Sequence, residues 1–530
     1  MKIRKTMAVL LAIVLMGSMM TLSMAAAEDA AIGGKTDLLV VGTSTNFGST
    51  ALNAGNQLWA DAVYECLALR MTLGGKPQQV MMKDFEPIDE ITYKIFIYDY
   101  ISDSEGNKID AHDIEFCYDY YKKKGTSISA KYEYCKAVGD YELELKLSSN
   151  ADGYFEECLK QKIVDSEVLA NRESEFAANG TSCGTGPYKV TNYVSGSMLE
   201  LTYRDDYWQK DESLIPAYLK PNAKVVRFMY IAEPAQLVVA LESGTVDMAI
   251  GLTGTNTNYF VNEDNTAKEG YTVKVGLSAL FNAMVLNMDK ENSVLADNPE
   301  LRQAILYAID VEGLVDGVLD GKGEVCKTLG CREYGDFQES WLTADYFDYD
   351  PEKAAQLLKA SGFKQTAPLR IMIDTNSDRQ KTAQIMQNYL LEIGIQTDIK
   401  SYDTALYNEY KYDPTQWEIM LDNYRSSDYM TNIWAHVFFY DSYQVGGANH
   451  LVDDQLIEMI KEVSTIQGHT AENLNKVNDY INNLACAIGT YDAYTYVIGR
   501  KGIDIYMDMN RVCGLAWAAG FAPDFASVGK

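Results

Sequence analysis

Cysteine and histidine are the residues of this sequence whose chemistry depends most directly on spacing. The chain has nine cysteines and four histidines, and no two cysteines show the C-x-x-C spacing typical of structural zinc sites. We therefore expect no structural zinc site. Because nine is odd, at least one thiol stays free or pairs between chains. Cys326 and Cys331, separated by KTLG, are the predicted local disulfide, and the other cysteines cannot be paired from the sequence.

Motifs of the common catalytic mechanisms are missing from the sequence. There is no H-E-x-x-H helix, no G-x-S-x-G nucleophile turn, no Walker loop and no G-x-G-x-x-G after a strand. Paired carboxylates can do acid–base chemistry, but among 75 acidic residues any chosen pair is uninformative. The sequence therefore predicts a protein that is not an enzyme and that needs no cofactor.

The most specific local pattern lies at residues 181–208, TSCGTGPYKVTNYVSGSMLELTYRDDYW. Gly184, Gly186 and Pro187 predict a tight turn, because glycine adopts backbone angles that other residues avoid and proline then fixes an extended start. Residues 188–194 and 198–204 predict a hairpin, since the returning strand alternates apolar and polar side chains. By pattern alone, this stretch is a half-buried hairpin after a Gly-Pro turn.

Other short patterns follow one another along the chain in a recognisable order. They are Y-E-C-L at 64–67, S-G-T-V-D at 243–247, L-R-Q-A-I-L-Y-A-I-D at 301–310 and S-D-Y at 427–429. Together with G-T-G-P-Y and the D-Y-W that ends the hairpin, they resemble the extracellular solute-binding proteins of family 5, the receptors of peptide-type ABC importers. The resemblance covers nearly the whole mature chain.

The resemblance implies an α/β fold with two lobes, like the periplasmic binding proteins of class C and type II, with an extra subdomain in the first lobe. The expected first lobe is residues 28–272, with the subdomain at about 70–185, and residues 490–530 return to it. The second lobe is expected at 273–489. Strands and helices alternate after residue 350, which favours a mostly parallel sheet in that lobe.

In peptide-binding members of the resembled family, an aspartate just after a strand of the second lobe holds the α-ammonium of the ligand. Asp428, in R-S-S-D-Y after the strand WEIMLDNY, matches that position. A carboxylate in a closed, water-poor cleft makes a charge-assisted hydrogen bond that is stronger than a surface ion pair. The alternative is a solvated aspartate that caps the following helix.

The resemblance implies further ligand-binding residues. Arg379, after the strand LRIMID, lies where some dipeptide binders keep the cation for the ligand's carboxylate, and it could equally be a solvated arginine in the first turn of a helix. The loop after the first strand is expected to pair with the ligand backbone; it comprises Thr43, Ser44, Thr45, Asn46 and Phe47. Three aromatic residues are expected either to line the cleft or to lie in the core, namely Tyr424, Tyr429 and Trp434.

Residues 1–27 have the pattern of a cleavable secretory signal. A basic start with Lys2, Arg4 and Lys5 precedes a short apolar run, and three alanines at the end suit signal peptidase. The apolar run at residues 7–16 is too short to span a bilayer as a permanent membrane anchor. No cysteine lies near the cleavage site, so there is no lipobox and we expect a soluble periplasmic protein.

The net charge of −29 bears on the partners of the chain. Such a surface repels nucleic acid and anionic lipid. The resemblance implies a small solute and the membrane permease of an ABC importer as partners, and a monomeric receptor.

A receptor that captures a short peptide by hinge closure is the favoured function. Members of the resembled family also bind oligosaccharides, nickel chelates and other small solutes, so the ligand class stays open. A secreted two-lobed hydrolase is the alternative from another class, and it would convert its ligand. A third is a chemosensory or scaffold receptor, which would have no permease genes beside its own.

Overall fold

The computed structural model describes residues 34–44, 59–69, 76–126, 128–151, 153–171, 183–278, 280–344, 346–425, 429–438, 449–508, 513–514 and 516–528. The predicted secretory signal at residues 1–27 lies outside these ranges. Within them, no helix is both long and apolar enough to cross a membrane. Helices and strands are numbered below in chain order.

Most of the helices belong to the second half of the chain. The α-helices with defined bounds among the described residues are α1 (Ala60–Val63), α2 (Ala111–Lys124), α3 (Tyr154–Cys158), α4 (Pro234–Glu242), α5 (Pro299–Tyr307), α6 (Val311–Leu319), α7 (Pro351–Ala360), α8 (Ser377–Glu392), α9 (Thr404–Tyr410), α10 (Met430–Phe438), α11 (Asp454–Val463) and α12 (Ala471–Leu484). Side-chain caps start several of them, as the residue types at Asp110 and at Asn298-Pro299 predict. Asp110 accepts the N–H of His112 (2.7 Å) before α2, and Asn298 accepts that of Leu301 (3.1 Å) before α5.

An eight-stranded sheet forms the body of the first lobe. Its strands are β1 (Thr36–Thr43), β8 (Tyr188–Val194), β9 (Met198–Tyr203), β10 (Ala223–Tyr230), β11 (Met248–Leu252), β12 (Tyr271–Leu277), β14 (Gly323–Val325) and β19 (Tyr491–Arg500). The order is β12-β19-β11-β1-β10-β9-β8, with β14 paired to β19. Strand β1 runs parallel to both β10 and β11. The strands β8 and β9 are the hairpin that the sequence predicted.

A four-stranded antiparallel sheet forms the extra subdomain of the first lobe. It consists of β4 (Met82–Pro87), β5 (Thr92–Ile97), β6 (Tyr132–Gly139) and β7 (Glu142–Leu147), in the order β4-β5-β7-β6. Its buried side chains, with those of α2, join the same apolar core as one face of the eight-stranded sheet. Three two-stranded pairs complete the described strands of this lobe: β2 (Ala68–Leu69) with β3 (Gln78–Gln79), β20 (Ile503–Asp504) with β23 (Gly520–Phe521), and β21 (Met507–Asp508) with β22 (Cys513–Gly514).

A five-stranded sheet forms the body of the second lobe. Its strands are β13 (Leu280–Leu286), β15 (Leu369–Asp374), β16 (Thr397–Tyr402), β17 (Ile419–Arg425) and β18 (Ala487–Gly489), in the order β16-β15-β17-β13-β18. Strand β15 runs parallel to β16 and β17, and β13 is antiparallel to β17 and β18. Apolar clusters cover both faces of this sheet. Two α/β lobes and an extra subdomain agree with the predicted fold class.

Two elements differ from the sequence prediction. Residues 273–287 read as one strand, but they form β12 and β13 in different sheets, because the chain changes lobe between them. The spacing of Trp59, Val63 and Leu67 predicts a helix through all three, but α1 ends at Val63. Its end has a tertiary cause, since the Val63 carbonyl accepts the N–H of Gly186 (2.9 Å) instead of continuing the helix.

Candidate functional site

The two lobes are joined where the chain passes between the eight-stranded and the five-stranded sheet. It crosses between Leu277 and Leu280, and again between Gly489 and Tyr491. Between these two crossings the chain also returns once, because β14, which follows the second-lobe helix α6, pairs with the first residues of β19 next to the second crossing. The carboxylate of Asp492, which is buried, accepts hydrogen bonds from the N–H (3.2 Å) and from the hydroxyl of Ser278. The two crossover segments are therefore tied to each other. Two short, adjacent connections of this kind are suited to a hinge.

Two of the predicted binding residues lie at the carboxyl end of strand β1, the edge at which open α/β sheets bind ligands. The carbonyl of Thr43 accepts the N–H of Ile231 (2.9 Å), and the hydroxyl of Ser44 donates to the carbonyl of Gly251 (3.3 Å). Both residues are thus fixed at the edge of the first lobe. The other predicted residues of this loop, Thr45, Asn46 and Phe47, lie outside the described residues.

The carboxyl end of strand β17 lies at the crossover. Its last residue is Arg425, and the Nη2 of this residue donates to the carbonyl of Ser278 (3.0 Å). Asp428, the predicted ammonium anchor, lies three residues further on and outside the described residues. The ring of Tyr429 lies against the first lobe, because a methyl group at Gly153 would be 2.9 Å from its Cε2. Tyr429 is therefore placed between the lobes.

Arg379 is committed to partners inside the second lobe. It lies in the first turn of α8, and its Nη1 forms a 3.0 Å ion pair with Asp374 at the end of β15. The guanidinium also lies over the ring of Tyr407, 5.7 Å from its centre. The side chain is 7% exposed, so it is not the solvated arginine that was the alternative. Among the described residues, its buried Nε has no hydrogen-bond partner.

Tyr424 and Trp434 lie in the core of the second lobe. They are 3% and 0% exposed and belong to one apolar cluster. The Nε1 of Trp434 donates to the carbonyl of Leu329 (3.2 Å), which satisfies the indole internally. The structure thus favours the core alternative over the cleft-lining one for both residues. The sequence could not separate the two because a strand and a helix next to a cleft also bury one face.

A buried charge cluster in the second lobe was not singled out from the sequence. The Nζ of Lys411 donates to the carboxylate of Asp422 and lies 5.1 Å from the centre of the Tyr424 ring. The Tyr407 hydroxyl donates to the carbonyl of Leu421 (2.8 Å). Burial, together with the charge of Asp422, raises the pKa of both tyrosines above the usual range, so they stay neutral. The available signal was one aspartate within the apolar strand IMLDNY.

Two sequence motifs of the first lobe, Y-E-C-L and D-Y-W, meet at Glu65. The Tyr207 hydroxyl (2.6 Å) and the Nε1 of Trp208 (2.8 Å) both donate to its carboxylate. Burial raises the pKa of Glu65 to about 7, although these two hydrogen bonds act in the opposite direction. Y-E-C-L and D-Y-W are therefore two halves of one buried contact.

The glycines of G-T-G-P-Y allow two backbones to approach each other in the same region. A methyl group at Gly184 would lie 2.0 Å from the carbonyl oxygen of Val63, and one at Gly186 would lie 2.3 Å from that of Ala62. Arg204, at the end of the hairpin, donates to the carbonyl of Gly184 (2.9 Å). These motifs have a structural role, which is to hold the segment after β1 against the hairpin.

The predicted disulfide between Cys326 and Cys331 was wrong, because both are free thiols in the structure. The loop between them is closed by its own backbone, with the N–H of Gly330 donating to the carbonyl of Thr328 (2.8 Å). Burial, with the nearby Asp492, raises the pKa of the Cys331 thiol well above its ordinary value. Short spacing along the chain was therefore not sufficient to predict a bond.

A groove of about 980 Å³ is lined by residues of the segment 258–268 in the first lobe and by residues 320–322, the loop after α6 in the second. The Nδ2 of Asn258 donates to Asp320 (3.3 Å) across it. Lys322 lines the groove with its ammonium 5.6 Å from the centre of the Tyr496 ring. In the part of the chain that the structure describes, no three side chains are grouped so that they could hold a metal ion.

Comparison with known proteins agrees with this two-lobed geometry. Residues 77–440, more than half of the chain, match the bacterial extracellular solute-binding proteins, family 5 Middle. The chain belongs to this family. The relatives that it matches include proteins named for peptide binding and for nickel binding.

Two relatives illustrate the range of family 5. The oligopeptide-binding protein AppA of Bacillus subtilis is 24% identical over 392 residues, which are 67% of this chain and 65% of AppA. The nickel-binding protein NikA of Staphylococcus aureus is 22% identical over 409 residues, which are 75% of this chain and 77% of NikA. The alignment thus spans slightly less than two thirds of AppA.

Solved structures of the family share the fold described above. The structure of AppA from Bacillus subtilis in complex with a nonapeptide matches with a TM-score of 0.72 and 18% identity. The match covers 92% of this chain and 100% of that one. The two-lobed fold of the family 5 binding proteins, predicted from the sequence, is therefore confirmed.

Proposed function

We propose that this family 5 protein is the extracytoplasmic receptor of an ABC importer. It captures a short peptide between its lobes, closes about the two crossover segments and delivers the peptide to a membrane permease. One observation supports Asp428 as the proposed ligand site. Arg425, the last residue of β17, contacts the crossover at Ser278 (3.0 Å), which supports a site for Asp428 near the junction of the lobes.

The proposed anchor is an ion pair between the carboxylate of Asp428 and the α-ammonium of the peptide. Closure excludes water from the pair, which strengthens it relative to a surface pair. The carboxyl edge of β1, at Thr43 and Ser44, faces the ligand backbone from the other lobe. Tyr429, which follows Asp428 directly, contributes from the interface between the lobes. Arg379 is a weaker candidate for the peptide carboxylate, because Asp374 already neutralises it.

Calorimetry with a matched pair of peptides tests this anchor. Ala-Ala-Ala carries the ammonium, and N-acetyl-Ala-Ala-Ala lacks it while keeping the backbone. For the wild-type protein we expect the free amine to bind tighter by on the order of 10²- to 10³-fold, since an unpaired buried charge costs about 3–5 kcal/mol. Asp428→Asn should remove that preference, and the surface variant Asp398→Asn should keep it. Equal preference in the two variants contradicts the anchor.

The same peptides separate a receptor from a hydrolase. A receptor should shrink on binding, as measured by X-ray scattering, and should leave the peptide intact after long incubation, as measured by mass spectrometry. A hydrolase would convert the peptide to fragments. Because NikA is named for nickel binding, a nickel chelate is tested as a competing ligand. If the chelate binds more tightly than the peptide, the proposed ligand is a metal chelate and not a peptide.

Two further parts of the proposal concern location and boundaries. We propose that residues 1–27 direct export and are removed, which leaves a periplasmic protein. We also propose that the lobes meet near residue 278 and near residue 490, close to the expected boundaries at 272 and 489. Support for this comes from the change of sheet between β12 and β13 and between β18 and β19. Mass spectrometry of the intact exported protein checks the cleavage site.

A further inference from the structure

The lobes also touch at a place separate from the crossover segments. On the first lobe the contact is made by Asn150, Ala151 and Gly153, after strand β7, and on the second by residues 465–469, the turn between α11 and α12. Ala151 pairs with Thr465 in an antiparallel bridge. The N–H of Ile466 donates to the carbonyl of Asn150 (3.4 Å), and the Nδ2 of Asn150 donates to the Oε1 of Gln467 (3.0 Å).

The ring of Tyr429 belongs to the same contact. On one side it lies against Gly153, where a methyl group would be 2.9 Å from its Cε2. On the other side it packs against the ring of His469, with the centres 5.0 Å apart. The residues after Tyr429 are held by Asp336, whose carboxylate accepts the N–H groups of Met430 (2.7 Å) and Thr431 (3.3 Å). The ring is therefore presented to the first lobe from a fixed backbone.

We propose that these residues form an interlobe latch, which stabilises the closed form and sets how long a ligand is retained. The proposal rests on the receptor function proposed above, because retention is a property of the same cleft. In the hinge closure proposed above, contacts of this kind between the lobes exist in the closed form and are lost in the open one. They therefore shift the equilibrium towards closure, by the difference in free energy that they contribute to the two forms.

Gly153 offers a matched pair of variants. Its φ of +77° disfavours any side chain, and Gly196 at the tip of the β8–β9 hairpin has a similar φ of +66°. A methyl group at Gly153 meets the Tyr429 ring, whereas one at Gly196 has no atom within 4 Å among the described residues. Gly153→Ala and Gly196→Ala thus impose a similar backbone strain, and only the first disturbs the latch. Gln467→Ala removes the side-chain hydrogen bond without any backbone strain.

Hydrogen exchange on the protein without added peptide is the first measurement. Gly153→Ala should speed exchange of residues 465–469 in the other lobe by about tenfold, the equivalent of 1.4 kcal/mol. Gln467→Ala should speed the exchange of Asn150, Ala151 and Gly153 by a smaller factor, and Gly196→Ala should leave both segments as in the wild type. A purely local effect of Gly153→Ala would leave residues 465–469 unchanged and would overturn the latch.

Release of a fluorescently labelled Ala-Ala-Ala is the second measurement. We expect it to be about tenfold faster from Gly153→Ala than from Gly196→Ala. Faster exchange with an unchanged release rate would overturn the proposal, because the contact would then not control retention. If the wild-type protein binds no peptide, the receptor proposal for peptides fails and the exchange result alone decides whether the latch exists. Peptide binding with identical exchange in all variants rejects the latch and keeps the receptor.

Discussion

The ammonium of Lys411 donates to the carboxylate of Asp422 inside the second lobe, where the two side chains are 10% and 7% exposed. Both charged groups are shielded from solvent, and the charge of each is compensated mainly by the other. The pair supports the strand that leads to Arg425 and the crossover, so its loss should affect the lobe that carries the proposed anchor.

Breaking this pair should destabilise the protein strongly. Lys411→Met leaves the Asp422 carboxylate buried without its partner, and we expect a loss of about 3–5 kcal/mol in the free energy of unfolding, measured with urea. Lys411→Met combined with Asp422→Leu should recover most of the loss. As a control, Lys461→Met breaks an exposed pair with Glu458 and should cost less than about 1 kcal/mol. Equal losses for the two lysine variants would contradict the buried pair.

Glu65 should make the stability of the first lobe depend on pH. Its pKa is about 7 in the folded protein against an ordinary value of 4.5, so between these values the native state keeps a proton that the unfolded chain releases. The free energy of unfolding should therefore fall as pH rises through this window, by up to about 3 kcal/mol. Glu65→Gln, which has no charge to bury, should flatten the curve. Parallel urea curves for wild type and variant between pH 5 and pH 8 would contradict this.

The sequence predicted local elements well because their signals are local. The hairpin β8–β9 follows from alternation over residues 188–204, and the cap at Asp110 follows from a few neighbouring residues. The contact of Glu65 with Trp208 joins positions 143 residues apart, and no local pattern encodes such a pairing. The resemblance supplied the order of these motifs, but it did not reveal that they touch.

The candidate site was harder to predict for a different reason. Near a cleft, the same aromatic spacing serves the core and the ligand surface, so Trp434 was as compatible with one as with the other. The proximity of Cys326 and Cys331 along the chain also suggested a bond, whereas the fold uses the loop between them for a tight backbone turn. Tertiary packing decides such cases, and it is not visible in a single stretch of sequence.

The two free, buried thiols of Cys326 and Cys331 give a direct chemical prediction. Cys326 and Cys331 are 5% and 3% exposed, and burial holds the pKa of both thiols well above the ordinary value. Iodoacetamide should therefore react slowly with them in the native protein and fully after unfolding without reductant. Peptide mapping would show two alkylated cysteines. Recovery of a peptide cross-linked through Cys326 and Cys331 would show that the disulfide exists and would contradict this prediction.

The most direct test of the receptor function is mass spectrometry of the small molecules that the purified protein retains. Closed-cleft receptors often keep their ligand through purification, and acid denaturation releases it. We expect short peptides with free amino termini, at close to one per protein molecule in the wild type and depleted in Asp428→Asn. Recovery of only a sugar or a metal chelate at that ratio would contradict peptide capture.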